Sequence, residues 1–243
     1  ALNTGSSYII RYETANAITT GLEVPASRTA TTVLSNNPTG TTLSGGDMIV
    51  NSIQLFQGSY DIVANSLIIK AAITRTGGNI SAASGTVEMN GTANQTIPAN
   101  TFLNDDLLNI IITNTAGGTT QVTLGGAVNL YGDLSFGNVN NKRFRSLGFL
   151  TLKSNATATA RVADLTNGGV NIGNTIVGDV TMERYLLNGR KWRLLAAPTI
   201  NATQTISSSW QENYVNVPGY GFNAADTRAD YAARGFDLPG GNT

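Results

Sequence analysis

The feature that most constrains this chain is an internal echo. The stretch "VPASRTATTVLSNNPTGTTLSGGDMIVNSIQLFQG", from Val24, returns in the same order as "IPANTFLNDDLLNIIITNTAGGTTQVTLGGAVNLYGDLSFG", from Ile97, with a few residues inserted. Each copy opens on Val or Ile followed by Pro-Ala, runs through an Asn-containing strand to "TGTT" or "GGTT", and crosses "LSGGD" or "LGGAV" into an alternating strand. A unit repeated in tandem is the mark of architectures that stack one element on the next.

The segments between the echoes read as short strands. "SYIIRYE", "DMIVNSIQLF", "SLIIKAAI", "TVEMNG", "LLNIIIT", "AVNLYGDLSF", "FLTLKS" and "TIVGDVTMERY" are rich in β-branched and aromatic residues and end at Gly, Asn, Ser or Asp. Apolar side chains at alternate positions, with turn residues at regular intervals, are what the coils of a parallel β-solenoid require. Adjacent coils lie about 4.8 Å apart, so like side chains stack over like. The same pattern fits a Thr-rich antiparallel sandwich with a duplicated hairpin. One short helix near residues 226 to 234, in "DTRADYAARG", is the single helical signal.

The expected fold is therefore all-β: a parallel β-solenoid followed by a smaller antiparallel β-rich domain. Residues 1–21 read as an N-terminal strand or leader segment and 22–178 as the solenoid, with related repeats over about 24–96 and 97–178. Residues 179–243 read as the C-terminal β-rich region, an incomplete sandwich.

Composition removes several function classes. Fifteen basic and fifteen acidic side chains cancel, so no net charge draws the chain to nucleic acid or an anionic membrane. Cysteine and histidine are both absent, which excludes disulfides, thiolate nucleophiles, His-dependent triads and Cys or His metal sites. No apolar run reaches the roughly 20 residues of a membrane-spanning helix. No cofactor or metal is expected.

Charge is sparse until residues 178 to 199, "GDVTMERYLLNGRKWRLLAAPT". Asn188-Gly189 is a two-residue hairpin signal, and a strict two-residue loop sets Tyr185 opposite Trp192 and Arg184 opposite Arg193. An antiparallel hairpin does not extend a parallel coil. Tyr185, Arg190, Lys191, Trp192 and Arg193 are thus expected to mark a domain junction, with ligand binding and catalysis as the alternatives.

Other candidates are weaker. Asp105 and Asp106 are carboxylates for calcium or glycoside chemistry, set against a plain turn at "NDD". Asp226, Asp230 and Asp237 miss the calcium-loop pattern, because Arg228 and Tyr231 stand at positions that need a ligand and a glycine. "KRFRS", with Lys142, Arg143, Phe144 and Arg145, is the one compact basic run, expected as a protruding loop able to meet an acidic glycan or phosphate. Tyr220 and Phe222 in "PGYGF" are aromatics suited to stacking on sugar rings.

The order "TIPANTFLNDDLLNIIITN", "VNLYGDLSF", "FLTLKSNATATARVADL", "GDVTMERYL", "KWRLLAAPT", "TISSSWQE" and "PGYGF" resembles a recurring region of large secreted surface proteins of the Bacteroidetes. These are repetitive, adhesin-like cargo of type IX secretion. The resemblance covers roughly residues 22 to 243. It implies a β-helical stalk with an attached β-domain outside the cell, a role in adhesion or surface fibres, and no catalytic residues. The export signal and sorting domain of such proteins are not in this sequence, so export is an expectation and the chain is expected to be a fragment or a processed form.

The expected function is a non-catalytic, extracellular structural or adhesive protein that is secreted or held at the cell surface. Its partners are expected to be itself, through strand addition into a filament or homo-oligomer, or a surface glycan or protein. The alternative is a carbohydrate-binding or polysaccharide-degrading β-helix protein. A third reading is a passive stalk with no ligand.

Overall fold

The structure, a computed structural model, describes residues 8–117, 121–137, 140–167 and 170–186, all within one compact unit, Ala1–Leu187. Every secondary-structure element among them is a strand or a turn. Strands that follow one another along the solenoid pair in parallel, so the expected parallel β-solenoid is the observed fold. Antiparallel pairing among the described residues is confined to Thr166–Asn167 with Val170–Asn171 and the bridge between Ser154 and Thr159.

The unit is one turn of the chain. On the first face, Ile10 stacks on Val33, Val33 on Ile53 and Ile53 on Ile73. A neighbouring column runs Met48, Leu67, Val87, Ile110, Leu134, Val162. The early turns thus take about twenty residues each. A second face carries Ile18, Thr41, Tyr60, Ile80 and Phe102 in one column, and further along Leu107, Leu130, Leu152 and Met182. Later turns are longer and add a third sheet, Gln95–Pro98, Val122–Gly125, Arg143–Arg145 and Thr175–Val177.

Alternation explains what holds the columns together. In Met48–Gln57 the buried side chains are Met48, Val50, Ile53 and Leu55. Each inward aliphatic side chain meets its equivalent one turn away, and burying it contributes roughly 1.5 to 3 kcal/mol. These residues form one continuous core from Ile10 to Ala160.

The corners are closed by amides. Gln95 lies in the core at 3% exposure. Its Nε2 donates to the carbonyls of Ile69 and Ala71, 2.9 Å each, and its Oε1 accepts from Gly91 N at 2.9 Å and Asn114 Nδ2 at 2.7 Å. Gln121 does the same one turn on, donating to Ala116 O and Asn141 O and accepting from Arg143 N. Asn37 ties Asn16 O to Gly40 O. A corner carbonyl in an apolar interior needs such a partner, which gives the chain's Asn and Gln a structural task. Gly58 shows how tightly turns meet: at φ +65, a Cβ there would stand 1.9 Å from Asn37 O.

The strand expected near the N-terminus belongs to the solenoid: Ile9–Tyr12 pairs with Thr29–Asn36 and Ile18–Thr19 with Thr41–Thr42, forming the first described turn. Parallel pairing also runs past 178, because Val180–Met182 lies in register on Leu150–Leu152 and Glu183 N bonds Leu152 O. Finally, "NDD" is no inter-strand turn. Asn104 and Asp105 sit inside Phe102–Ile112 with φ of 58 and 63, a bulge between Phe102, which pairs with Ile80, and Leu107, which pairs with Ala82; a further shift after Leu107 takes the strand to the first face beside Val87.

The Val24 and Ile97 stretches share a corner, in which Arg28 N bonds Pro25 O and Thr101 N bonds Pro98 O. They diverge after it: Thr29–Asn36 stays on the first face, whereas Phe102–Ile112 crosses between faces. The hairpin at Asn188 and Gly189, the helix near 226 to 234 and the antiparallel domain beyond 186 lie outside the described residues.

Candidate interaction surface

The third sheet is where the basic run falls. Arg143, Phe144 and Arg145 form a strand, not the expected loop, held between Val122–Gly125 and Thr175–Val177. Its alternation is strict. Phe144 turns inward, fully buried between Val122 and Ile176, so the expectation that it belongs to a contact surface is overturned. Lys142 is buried as well, and its backbone N donates to Asn174 Oδ1 at 2.8 Å. An inward apolar side chain is the reason a strand of only three residues is stable here.

Arg143 and Arg145 face outward and are exposed. Among the described residues neither guanidinium has a hydrogen-bond or ion-pair partner. Several other cations of the described region are engaged. Arg28 donates to the carbonyls of Ser44, Gly46 and Asp47, and Arg75 to those of Gly78 and Ala99. Arg161 forms a two-pronged pair with Asp133 at 2.7 and 3.0 Å.

Along the solenoid, Thr96, Thr123, Arg145 and Val177 make one outward row, and Thr175 adjoins Arg143. Ser146 N bonds Val177 O, which brings the following corner against this row. That corner exposes Leu147 and Phe149, and Val177 is exposed beside it. None of the four strands of this sheet contains Asp or Glu.

A second group of ionisable residues lies on the second face. Lys153 Nζ donates to Glu183 Oε1 one turn on, and Asn129 Nδ2 donates to Asp106 Oδ1 at 3.2 Å. Tyr131 is held above its ordinary pKa by burial, then by the negative charge of Asp106 and the hydrogen bond its hydroxyl donates to it. Lys153 is raised as well, chiefly by its hydrogen bond to Glu183. The hydrogen bonds of Lys153 to Glu183 and of Asn129 to Asp106 tie one turn to the next. Among the described residues no three or more Asp or Glu side chains gather where they could hold a metal ion.

Tyr185 follows the last described strand, exposed, with its backbone N bonded to Ser154 Oγ at 2.9 Å. Arg190, Lys191, Trp192, Arg193, Tyr220 and Phe222 lie outside the described residues. The chain itself announced the basic run but not that it splits into two inward and two outward side chains. The pairs Asp133 with Arg161 and Lys153 with Glu183 are far apart in sequence, and only the register between turns joins them. Comparison with known proteins finds no family model, curated protein or solved structure that matches this chain.

Proposed function

We propose that this chain is a non-catalytic structural and adhesive protein of the cell surface, a scaffold that holds outward rows of side chains at fixed spacing for contact outside the cell. The observation that carries the reading is the unbroken stacking of like on like from Ile10 to Met182, with ionisable groups tied from turn to turn. Each polar side chain so tied joins one turn to the next. The resemblance to secreted adhesin-like proteins points the same way.

Self-association by strand addition belongs to this proposal. Among the described residues Ile9–Tyr12 ends its sheet, with Thr29–Asn36 on one side, and an edge strand recruits another through main-chain hydrogen bonds. Negative-stain electron microscopy of the full chain tests this directly: rods joined end to end are expected, and a field of isolated globular particles refutes it. No helix among the described residues is long and apolar enough to cross a membrane.

A second reading, carbohydrate binding, is favoured by one specific feature, the unpaired Arg143 and Arg145 on an exposed, rigid strand. Incubation with a polysaccharide panel separates the readings. Binding without shortening of the polymer supports a binding module, and release of shortened sugar refutes the non-catalytic assignment.

A further inference from the structure

We infer that the outward face of Arg143–Arg145 binds an acidic polysaccharide, a polymer bearing carboxylate or sulfate groups along its length; the inference rests on the carbohydrate-binding reading. A guanidinium exposed without a partner is free to form a forked, charge-assisted pair with an oxyanion. Alternate residues of one strand stand about 6.7 Å apart on the same side, so Arg143 and Arg145 present two forks in parallel. Both strand neighbours fix that backbone, so little ordering is required on binding.

The surroundings select the ligand class. No Asp or Glu occurs on the four strands of this sheet, and the nearest acid in sequence, the exposed Asp179, lies past Val177 at the corner where its carbonyl accepts from Ser146 Oγ at 2.7 Å. Thr123 and Thr175 flank the two arginines with hydroxyls about 4.8 Å away along the solenoid, placed for sugar hydroxyls. Val177, Leu147 and Phe149 supply exposed apolar surface at the same edge, suited to the C–H face of a sugar ring. Two cations in a chain of zero net charge are too few for a nucleic acid, whose binding draws on many phosphate contacts. They suit a polymer whose anions are spaced out by neutral hydroxyls.

The test uses the full chain against immobilised polygalacturonate, dextran sulfate and uncharged dextran. The wild-type chain is expected to bind a polyanion, carboxylated or sulfated as the two arms reveal, to leave dextran unbound, and to lose affinity as salt is raised. Arg143→Gln with Arg145→Gln is expected to weaken binding at least about tenfold, while Lys70→Gln, an exposed cation on another face, changes it less than about twofold. Equal binding by the double variant, or no binding of either polyanion by the wild type, overturns the inference. If the double variant loses its melting transition, the native chain decides: the polyanion must shield Arg143 and Arg145 from phenylglyoxal, and unchanged labelling is equally fatal. Failure here leaves the scaffold reading standing, since that depends on particle shape. Shortening of the polymer would refute the non-catalytic assignment and leave this site intact.

Discussion

Val63 carries a conformation that valine avoids. Its φ of 53 lies in the left-handed region, where a β-branched side chain crowds the backbone at a cost of roughly 1 to 2 kcal/mol. The turn persists because Val63 N bonds Asp61 Oδ1 at 2.9 Å and Asn65 N bonds Ile62 O. Asn already fills such positions in this chain, at Asn100 and Asn141. Val63→Asn is therefore expected to raise the unfolding free energy by about 1 kcal/mol, read by urea denaturation, and a loss of stability would contradict the strain. Asn100 was legible as a corner residue because Asn announces a turn; Val63 and Leu147 were not, because their shape suits a strand and the stacking of turns alone forces them round the corner. A second residue-scale prediction concerns Tyr12 and Tyr60, whose rings meet at 6.2 Å. Burial first raises both pKa values well above 10.0; Glu23 and the neighbouring tyrosine add to the shift at Tyr12, while Arg28 opposes it at Tyr60. A raised value in the folded chain means that their contribution to stability is complete below the ordinary tyrosine range and is lost as pH rises through the folded values. In an alkaline absorbance titration, Tyr12 and Tyr60 are expected to ionise only as the fold opens. Removal of the late step in Tyr12→Phe with Tyr60→Phe confirms it, and complete ionisation near pH 10 with the fold intact contradicts it.

At the scale of elements, the strands were readable and their faces were not. Alternation in "DMIVNSIQLF" identified a strand but not its whole inward side, because the buried set changes parity from Met48 and Val50 to Ile53 and Leu55, where the register shifts. "KRFRS" concealed its strand, because one apolar residue between two arginines gives a pattern too short to stand out from a charged loop. "NDD" misled for the opposite reason: its turn-forming chemistry is real, but the left-handed residues bend a continuing strand. The glutamine corners were also invisible, as nothing local distinguishes Gln95 from a surface residue. Gln95→Leu keeps the bulk while leaving Gly91 N, Asn114 Nδ2 and the carbonyls of Ile69 and Ala71 short of a partner. Each buried orphan costs about 1 to 3 kcal/mol. The variant is expected to lose at least about 3 kcal/mol and to exchange the Gly91 and Asn114 amide hydrogens faster than the wild type. A change under about 1 kcal/mol would show that these hydrogen bonds are not what closes the corner.

For the whole molecule, the tandem echo disclosed stacking but mistook its unit. Two stretches beginning at Val24 and Ile97 share wording because they share a corner, whereas the repeating object is a single turn whose length grows along the chain. Sequence likeness is weak from turn to turn, because a column demands only an apolar side chain, as in Met48, Leu67, Val87, Ile110 and Leu134. Each turn then rests on its two neighbours, and stability accumulates as contacts between adjacent turns. The proposed scaffold role follows from that arrangement and from nothing finer. Its most direct test is a methyl NOE spectrum of the isotope-labelled chain. Parallel turns about 4.8 Å apart place the Ile53 methyls against both Val33 and Ile73, and those of Leu67 against both Met48 and Val87. Cross-peaks to both partners of each residue are the predicted result, and their absence, with Ile53 and Leu67 instead contacting hairpin neighbours in an antiparallel pattern, would contradict the solenoid and the function built on it.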